Sequence, residues 1–231
     1  SSDVCSSDLC HSPPDARHQS ITVNHRLTVF IEQPPEFVRK LYPSAVWRMD
    51  PDERAVYLTF DDGPIPEVTP WVLDLLDKYD IKATFFMVGD NIRKHPDEFQ
   101  MVVERGHRIG NHTFNHLRGF EYNFKDYLAN AEKANEVMKT DLFRPPHGHM
   151  GWTQYMILKR RYKIIMWDLV TRDYSKKLRG PQVLANVMKY ARNGSIITFH
   201  DSLKSWNNGN LQYALPRAIE FLKEEGDRKS V

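Results

Sequence analysis

The sequence has little of three things that organise other classes of protein: cysteine, excess charge of one sign and long apolar runs. Cys5 and Cys10 are its only cysteines among 231 residues, and both lie too near the N-terminus to form a disulfide framework or a thiolate metal site. Lysine and arginine (32) nearly balance aspartate and glutamate (30), which argues against a nucleic-acid partner. Apolar runs such as 195–199 are far shorter than the roughly 20 residues of a transmembrane helix. Any bound metal must therefore be held by histidines and carboxylates.

Both ends of the chain differ in composition from the middle. Residues 1–28 show neither sustained periodicity nor the apolar stretch of a signal peptide, and we expect them to be disordered. Their first nine residues (SSDVCSSDL) and the last five, 227–231 (DRKSV), resemble translated sequencing adapters, so both ends are expected to be non-native. Residues 29–54 are expected to form a strap that packs on the main domain, 55–226. Without a signal-peptide pattern a cytoplasmic location is the default expectation, and the location is otherwise open.

From residue 55 onward, short β-branched and aromatic runs alternate with amphipathic stretches. The predicted strands are 55–60, 83–88, 107–110, 142–144, 163–169 and 195–199. The predicted helices are 67–79, 97–105, 123–139, 153–161, 181–192 and 211–225. This alternation indicates an α/β fold with a parallel sheet and outer helices, either open or closed into a barrel.

Ionisable residues follow five of the predicted strands, at the ends where parallel α/β folds bind their ligands. They are Asp61 and Asp62 after the first strand, His112 and His116 after the third, Arg144 after the fourth, Asp173 after the fifth, and His200 and Asp201 after the sixth. Taken singly, each is more typical of a solvated turn or a structural contact. Because chance would scatter some of them onto helices and strand starts, the joint pattern predicts one site.

Metal chemistry accounts for three of these residues. Asp62, His112 and His116 offer one carboxylate oxygen and two imidazole nitrogens, a set that leaves positions open for water and substrate. His112 and His116 can share an ion if 113–117 winds helically. A divalent ion held there would polarise a carbonyl and lower the pKa of a bound water towards roughly 7.

Acid–base chemistry accounts for the others. Asp61 is free to act as a base, and Arg144 can pair with it to keep it ionised and oriented. His200 can protonate a leaving group, with Asp173 holding its other ring nitrogen.

Together these residues resemble the polysaccharide deacetylase family, the NodB-type domain of carbohydrate esterase family four. The resembling segments are 59–64 (TFDDGP), 111–116 (NHTFNH), 144–148 (RPPHG), 171–174 (TRDY) and 197–201 (ITFHD), in the family's order. The first two are highly specific and the fourth is the loosest match.

The resemblance implies a distorted (β/α) barrel of parallel strands with outer helices. It implies a hydrolase that removes acetyl groups from sugars, most often N-acetyl groups of glucosamine-containing polymers. It also implies the roles of the site residues: Asp61 as base, Arg144 as its tether, Asp62, His112 and His116 as metal ligands, His200 as general acid and Asp173 as its partner. The expected cofactor is one divalent metal ion. Zinc is the preferred ion, and cobalt and manganese are alternatives. The expected partner is an acetylated carbohydrate, and protein partners are left open.

Four positions depart from the usual residues of the family and leave the sugar open. Tyr174 replaces Trp, Val170 replaces Asp, His147 replaces Tyr, and Thr198 replaces a Leu that lines the acetyl pocket. The resemblance implies that the backbone N–H of His147 stabilises the oxyanion. Pro145 belongs to the same substrate-side group as His147, Tyr174 and Thr198.

A parallel barrel needs a further strand after its last predicted helix. Residues 227–231 are charged and strand-poor, so we expect a barrel that lacks its last strand through C-terminal truncation, with an open edge beside 55–60. Trp47 in the strap is expected to pack on the barrel, the alternative being an exposed sugar-binding edge.

Three alternative functions stay open. An O-acetyl esterase acting on xylan-type glycans would use the same site. A catalytically inactive carbohydrate-binding domain would share the scaffold, although such domains usually lose Asp61 or a metal ligand. A non-haem iron oxygenase also uses two histidines and a carboxylate, but usually on an all-β scaffold and in another ligand order.

Overall fold

Strands and helices alternate along the part of the chain that the computed structural model describes, residues 32–225 and 229–230. The strands are β1 (Ala55–Asp61), β2 (Thr84–Met87), β3 (Arg108–Asn111), β4 (Leu142–Phe143), β5 (Lys163–Ile164), β6 (Leu169–Val170), β7 (Ile196–His200) and β8 (Lys229–Ser230). The helices are α1 (Glu36–Leu41), α2 (Thr69–Lys78), α3 (Gly89–Lys94), α4 (Pro96–Glu104), α5 (Phe124–Met138), α6 (Trp152–Leu158), α7 (Gly180–Tyr190), α8 (Leu203–Asn207) and α9 (Asn210–Glu224). The prediction of disorder for 1–28 lies outside the described residues.

Seven strands form one parallel sheet in the order β5-β4-β3-β2-β1-β7-β6. The sheet curls into a half-barrel with helices around it, which confirms the predicted fold class. Phe60 on the central strand β1 is fully buried and stacks on Phe85 of β2 and Phe199 of β7, with ring centroids 5.0 and 6.2 Å away. Because all these strands run in the same direction, their carboxyl ends share one rim.

The predicted single strand 163–169 is wrong. Its two ends form β5 and β6, which lie at opposite ends of the sheet, and residues 165–168 cross between them. The run reads as a strand because its crossing part is also buried: Met166 is 1% exposed and Asp168 is fully enclosed. A run of apolar residues indicates that a segment is buried, but it does not show whether the segment pairs with a strand of the sheet.

The predicted open edge beside β1 is also wrong. β1 pairs with β2 and with β7, and β8 pairs with its first residues, Ala55 with Lys229 and Val56 with Ser230. A two-residue parallel pairing is made by backbone groups and needs no apolar side chains. The charged composition of 227–231 therefore gave no sign of this strand. The half-barrel is instead open between β5 and β6. That residues 227–231 are non-native stays a prediction.

The strap crosses the opening between β5 and β6. The N–H of Val46 donates to the end of β5, and its carbonyl accepts from the N–H of Met166, both at 2.8 Å. The carbonyl of Glu32 accepts from Val170 on β6 at 2.9 Å. Trp47 is 8% exposed, so it packs inside the protein and offers no sugar-binding edge.

An ion cluster fastens α1 to the crossing segment and to the start of β7. The fully buried Asp168 accepts hydrogen bonds from Arg39 at 2.7 Å, from Arg192 at 2.7 and 2.9 Å, and from Ser195 at 2.8 Å. Burial acts to raise the pKa of Asp168, but these donors outweigh it and hold the pKa at about 2. A carboxyl whose pKa is lower in the folded chain stabilises the fold above its ordinary pKa of 3.8 and loses this contribution as the pH falls towards 2.

We expect Asp168→Asn to lower the free energy of unfolding by about 2 kcal/mol at pH 7, from the difference between the two pKa values. Urea unfolding of the two proteins measures this. The matched control is Asp141→Asn, which removes an exposed carboxylate 3.6 Å from Lys163 and should change stability by less than about 0.5 kcal/mol. Equal stability of the Asp168 variant and the wild type would contradict the proposed clamp.

Candidate metal and acid–base site

The carboxyl-end rim of the sheet gathers the ionisable residues that the sequence predicted for one site. Asp61 ends β1 and His200 ends β7, while the others lie in the loops that follow β1, β3, β4, β6 and β7. Hydrogen bonds, ion pairs or ring contacts connect Asp61 with Arg144, Asp62 with His112 and His116, His116 with His147, and His200 with Asp173 and Tyr174. Pro145, two residues before His147, is buried, and its carbonyl accepts the N–H of Gly148 at 2.9 Å.

Asp62, His112 and His116 form a compact set of metal-donor atoms. One donor atom from each lies within 4.8 Å of the others, with Asp62 Oδ1 3.1 Å from His116 Nε2 and 3.8 Å from His112 Nε2. His112 Nδ1 lies 2.8 Å from the carbonyl of Arg144, which can only accept. His112 therefore carries its proton on Nδ1 and directs the Nε2 lone pair towards Asp62.

The ionisation of this set suits a divalent cation. Burial lowers the pKa of His112 well below its ordinary value, so the ring is neutral and can act as a ligand. Burial acts to raise the pKa of Asp62, but the hydrogen bond from His116 and the nearby histidines outweigh it and hold the pKa below the usual range. One ionised carboxylate and imidazole nitrogens are a donor set that zinc accepts.

The loop between the two histidines does not wind helically, which was the condition under which their spacing would let them share an ion. Thr113 and His116 have φ values of 63° and 55°, in the left-handed region that an α-helix excludes. Side-chain amides set this shape: Asn111 Oδ1 accepts the N–H of Thr113 at 2.8 Å, and Asn130 Oδ1 accepts the next two N–H groups at 2.8 and 3.0 Å. Asn130 lies on α5, and no signal in the sequence marked it.

Arg144 is fully buried, and its guanidinium lies beneath the rim, in contact with Asp61. Its Nη1 lies 2.6 Å from Asp61 Oδ1, 2.8 Å from Thr59 Oγ1 and 3.2 Å from Thr198 Oγ1. Nε and Nη2 donate to two carbonyls of the segment that crosses between β5 and β6, at 3.2 and 2.8 Å. The guanidinium therefore joins β1, β4, β7 and the crossing segment at one point.

Asp61 and Thr198, which both contact Arg144, are themselves buried. Burial raises the pKa of Asp61 and outweighs the opposing effect of Arg144 and His200. Thr198 is only 1% exposed and its hydroxyl faces Arg144 and, at 3.2 Å, Thr59. The structure thus places Thr198 in the support of Arg144, whereas the resemblance implied a place in the acetyl pocket.

His200 is held by the buried Asp173. Asp173 Oδ1 lies 2.8 Å from His200 Nδ1, and Oδ2 accepts the His200 backbone N–H at 2.8 Å. Tyr174 packs edge-on against the imidazole with ring centroids 4.7 Å apart. Burial opposes the charged ring, but Asp173, Asp62 and Asp61 raise the pKa of His200 to about 9. His200 is therefore a protonated acid at neutral pH.

Asp201 supports the loop that carries Asp62, a role that the sequence pattern does not predict. Its Oδ1 accepts the N–H of Gly63 at 3.1 Å and its Oδ2 accepts the hydroxyl of Thr69 at 2.8 Å. A Cβ on Gly63 would lie 1.9 Å from Asp201 Oδ2, so only glycine fits there. The position of Asp201 directly after His200 is the one feature of the sequence that points to this role.

Comparison with known proteins agrees with this geometry. The sequence profile of the polysaccharide deacetylase family matches residues 48–160. A peptidoglycan-N-acetylglucosamine deacetylase of Bacillus cereus is 34% identical over 191 residues, which cover 79% of this chain and 88% of the relative.

Solved structures show the same fold. A peptidoglycan N-acetylglucosamine deacetylase in complex with 4-naphthalen-1-yl-N-oxidanyl-benzamide has a TM-score of 0.75 at 28% identity, over 86% of this chain and 94% of that one. A mutant of a CE4 family pseudoenzyme has a TM-score of 0.73 at 26% identity, over 81% and 69% of the two chains. The chain therefore belongs to the polysaccharide deacetylase family.

Proposed function

We propose that this polysaccharide deacetylase hydrolyses the N-acetyl groups of a glucosamine-containing polysaccharide or oligosaccharide. The observation that carries the proposal is one rim on which a three-donor metal set lies beside a buried carboxylate and a protonated histidine. The B. cereus relative, whose name gives peptidoglycan N-acetylglucosamine as its substrate, supports an amide-linked acetyl group.

Asp62, His112 and His116 would hold the metal ion, and their nitrogen and oxygen donors favour zinc, with cobalt or manganese as alternatives. When bound, the ion supplies Lewis-acid polarisation of the acetyl carbonyl and makes a water molecule more acidic. The backbone N–H of His147, in the loop after β4, would donate to the oxyanion of the tetrahedral intermediate.

The chain's own residues would move the protons. Asp61 takes a proton from the attacking water, and Arg144 orients its carboxylate and opposes the effect of burial on its pKa. His200 then gives its proton to the leaving amine nitrogen as the C–N bond breaks. Asp173 fixes the His200 ring by binding Nδ1, which leaves Nε2 to face the substrate. Catalytically inactive domains on this scaffold usually lack the residue at Asp61 or one of the metal donors. Because this chain has Asp61 and all three donors, we favour an active enzyme over an inactive carbohydrate-binding domain.

Acetate release tests the proposal when chitooligosaccharides, peptidoglycan and acetylxylan are compared with zinc, cobalt or manganese. We expect release from the amide-linked substrates. Asp61→Asn should retain zinc but release acetate about 10² to 10⁴ times more slowly, because it removes a general base. Its neighbour Asp62→Ala provides the matched comparison and should lose zinc. Release from acetylxylan alone would indicate the O-acetyl esterase, and loss of zinc by Asp61→Asn would overturn the assigned roles.

The pH profile tests the pairing of His200 with Asp173. Activity requires Asp61 ionised and His200 protonated, so the rate should fall at low pH through Asp61 and at high pH through His200, whose pKa is about 9. Asp173→Asn removes the charge that raises this pKa, so the basic limb should move down by about one unit or more. Asp97→Asn, an exposed change on α4, should leave it in place. A basic limb unmoved by Asp173→Asn would contradict the pairing.

A further inference from the structure

Two asparagines at the junction between α8 and α9 hold the loop that follows β6. Asn210, the first residue of α9, is only 1% exposed. Its side-chain NH₂ group donates to the carbonyls of Asp173, Ser175 and Leu178, at 3.0, 3.1 and 3.1 Å. The exposed Asn208 donates to the first two of these carbonyls, at 2.9 and 3.4 Å. The junction therefore fixes the main chain of this loop, and the mechanism above does not use these contacts.

The orientation of both amides follows from their partners. Carbonyl oxygens only accept hydrogen bonds, so the NH₂ group of each asparagine must face the loop. The side-chain oxygen of Asn208 accepts the backbone N–H of Asn210 at 2.9 Å, which connects the two residues. Gly209 between them has a φ of 74°, in the left-handed region that glycine adopts without strain. This turn thus directs two amides at the same pair of carbonyls.

The Asp173 carboxylate needs an accurately placed main chain. It is fully buried, and its two oxygens meet the ring nitrogen Nδ1 and the backbone N–H of His200, both at 2.8 Å. Arg172, directly before it, has a φ of 63°, which a residue other than glycine keeps only when surrounding contacts hold it. Asn208 and Asn210 bind the carbonyl of Asp173, so they hold the main chain from which the carboxylate extends.

We propose that Asn210 is a positioning residue for the proton donor of the reaction: it holds the main chain of Asp173 so that the carboxylate meets His200. Asn208 contributes to the same contact from the exposed side. The inference rests on the proposed function for the role of His200 as an acid, but the contact between Asp173 and His200 can be observed without turnover. Loss of Asn210 should weaken this contact while the metal-donor set stays intact.

Proton NMR of the zinc-loaded full chain tests the proposal through the Nδ1 proton that His200 donates to Asp173. Asn210→Leu keeps a side chain of similar shape but removes the donors to three carbonyls. Asp61, Asp62 and Asp173 are the carboxylates that raise the pKa of His200, and Asn210 contacts the last of these. We therefore expect the downfield resonance of this proton to disappear and the pKa of His200 to fall by about one unit, a tenfold change in proton affinity.

Three further variants separate positioning from a general loss of structure. Gln154→Leu removes a buried amide that donates to the carbonyls of Gly119 and Tyr122, in other loops, and should leave the resonance and the pKa of His200 unchanged. Asn208→Ala is an exposed change that should keep the fold and lower this pKa by a few tenths of a unit, about twofold.

The third variant adds Asn210→Leu to Asp173→Asn. It should lower the pKa of His200 no further than Asp173→Asn alone, because the charge that Asn210 positions is then absent.

Three results would overturn the proposal: an unchanged His200 resonance and pKa in folded Asn210→Leu, an equal fall in Gln154→Leu, or a further tenfold fall in the Asp173→Asn background. If Asn210→Leu does not fold, an unchanged resonance and pKa in Asn208→Ala overturns it instead. Failure of the proposed function has a different signature, because the zinc-loaded wild type would then release no acetate while the effect of Asn210→Leu on His200 persisted.

Discussion

The rest of the site depends on the hydrogen bonds that the buried guanidinium of Arg144 makes with its surroundings. A charge removed from water must find a partner for each of its donors, since an uncompensated buried charge costs several kcal/mol. Arg144 finds them in Asp61, in the hydroxyls of Thr59 and Thr198, and in two carbonyls of the crossing segment. These acceptors come from strands that are far apart in sequence, so the half-barrel must be assembled before the site exists.

Arg144 also separates the roles of two adjacent carboxylates. Its side chain holds Asp61, while its backbone carbonyl fixes the proton of His112 and so directs that ring towards Asp62. Asp62 leaves the strand with a φ of 85°, which turns its side chain away from Asp61 and towards the histidines. One residue thus supports Asp61 through its guanidinium and the metal-donor set through its main chain.

The opening of the half-barrel explains the strap and the crossing segment. β5 and β6 lie at opposite ends of the sheet, and the strap covers the segment between them with backbone hydrogen bonds. Asp168 fastens the segment from one side and Arg144 from the other. The same segment therefore connects the stability of the fold with the position of Asp61.

The sequence predicted the residue types of the site better than their local geometry. Asp61, Asp62 and His200 were predictable because parallel strands bring their carboxyl ends to one rim. The left-handed turn at Thr113, the part played by Asn130 and the inward hydroxyl of Thr198 were not, because each depends on a partner distant in sequence. The division of 163–169 between β5 and β6 was not predictable for the same reason, since strand pairing is a tertiary property.

The most direct test of the central claim is the Arg144→Lys variant, measured for both zinc affinity and acetate release. Lysine keeps the charge but lacks the planar fork that reaches Asp61 and the two carbonyls together. Zinc affinity should stay close to that of the wild type, because a backbone carbonyl holds His112, while acetate release should fall by about 10² or more as the base loses its orientation. Acetate release at the wild-type rate would contradict the account.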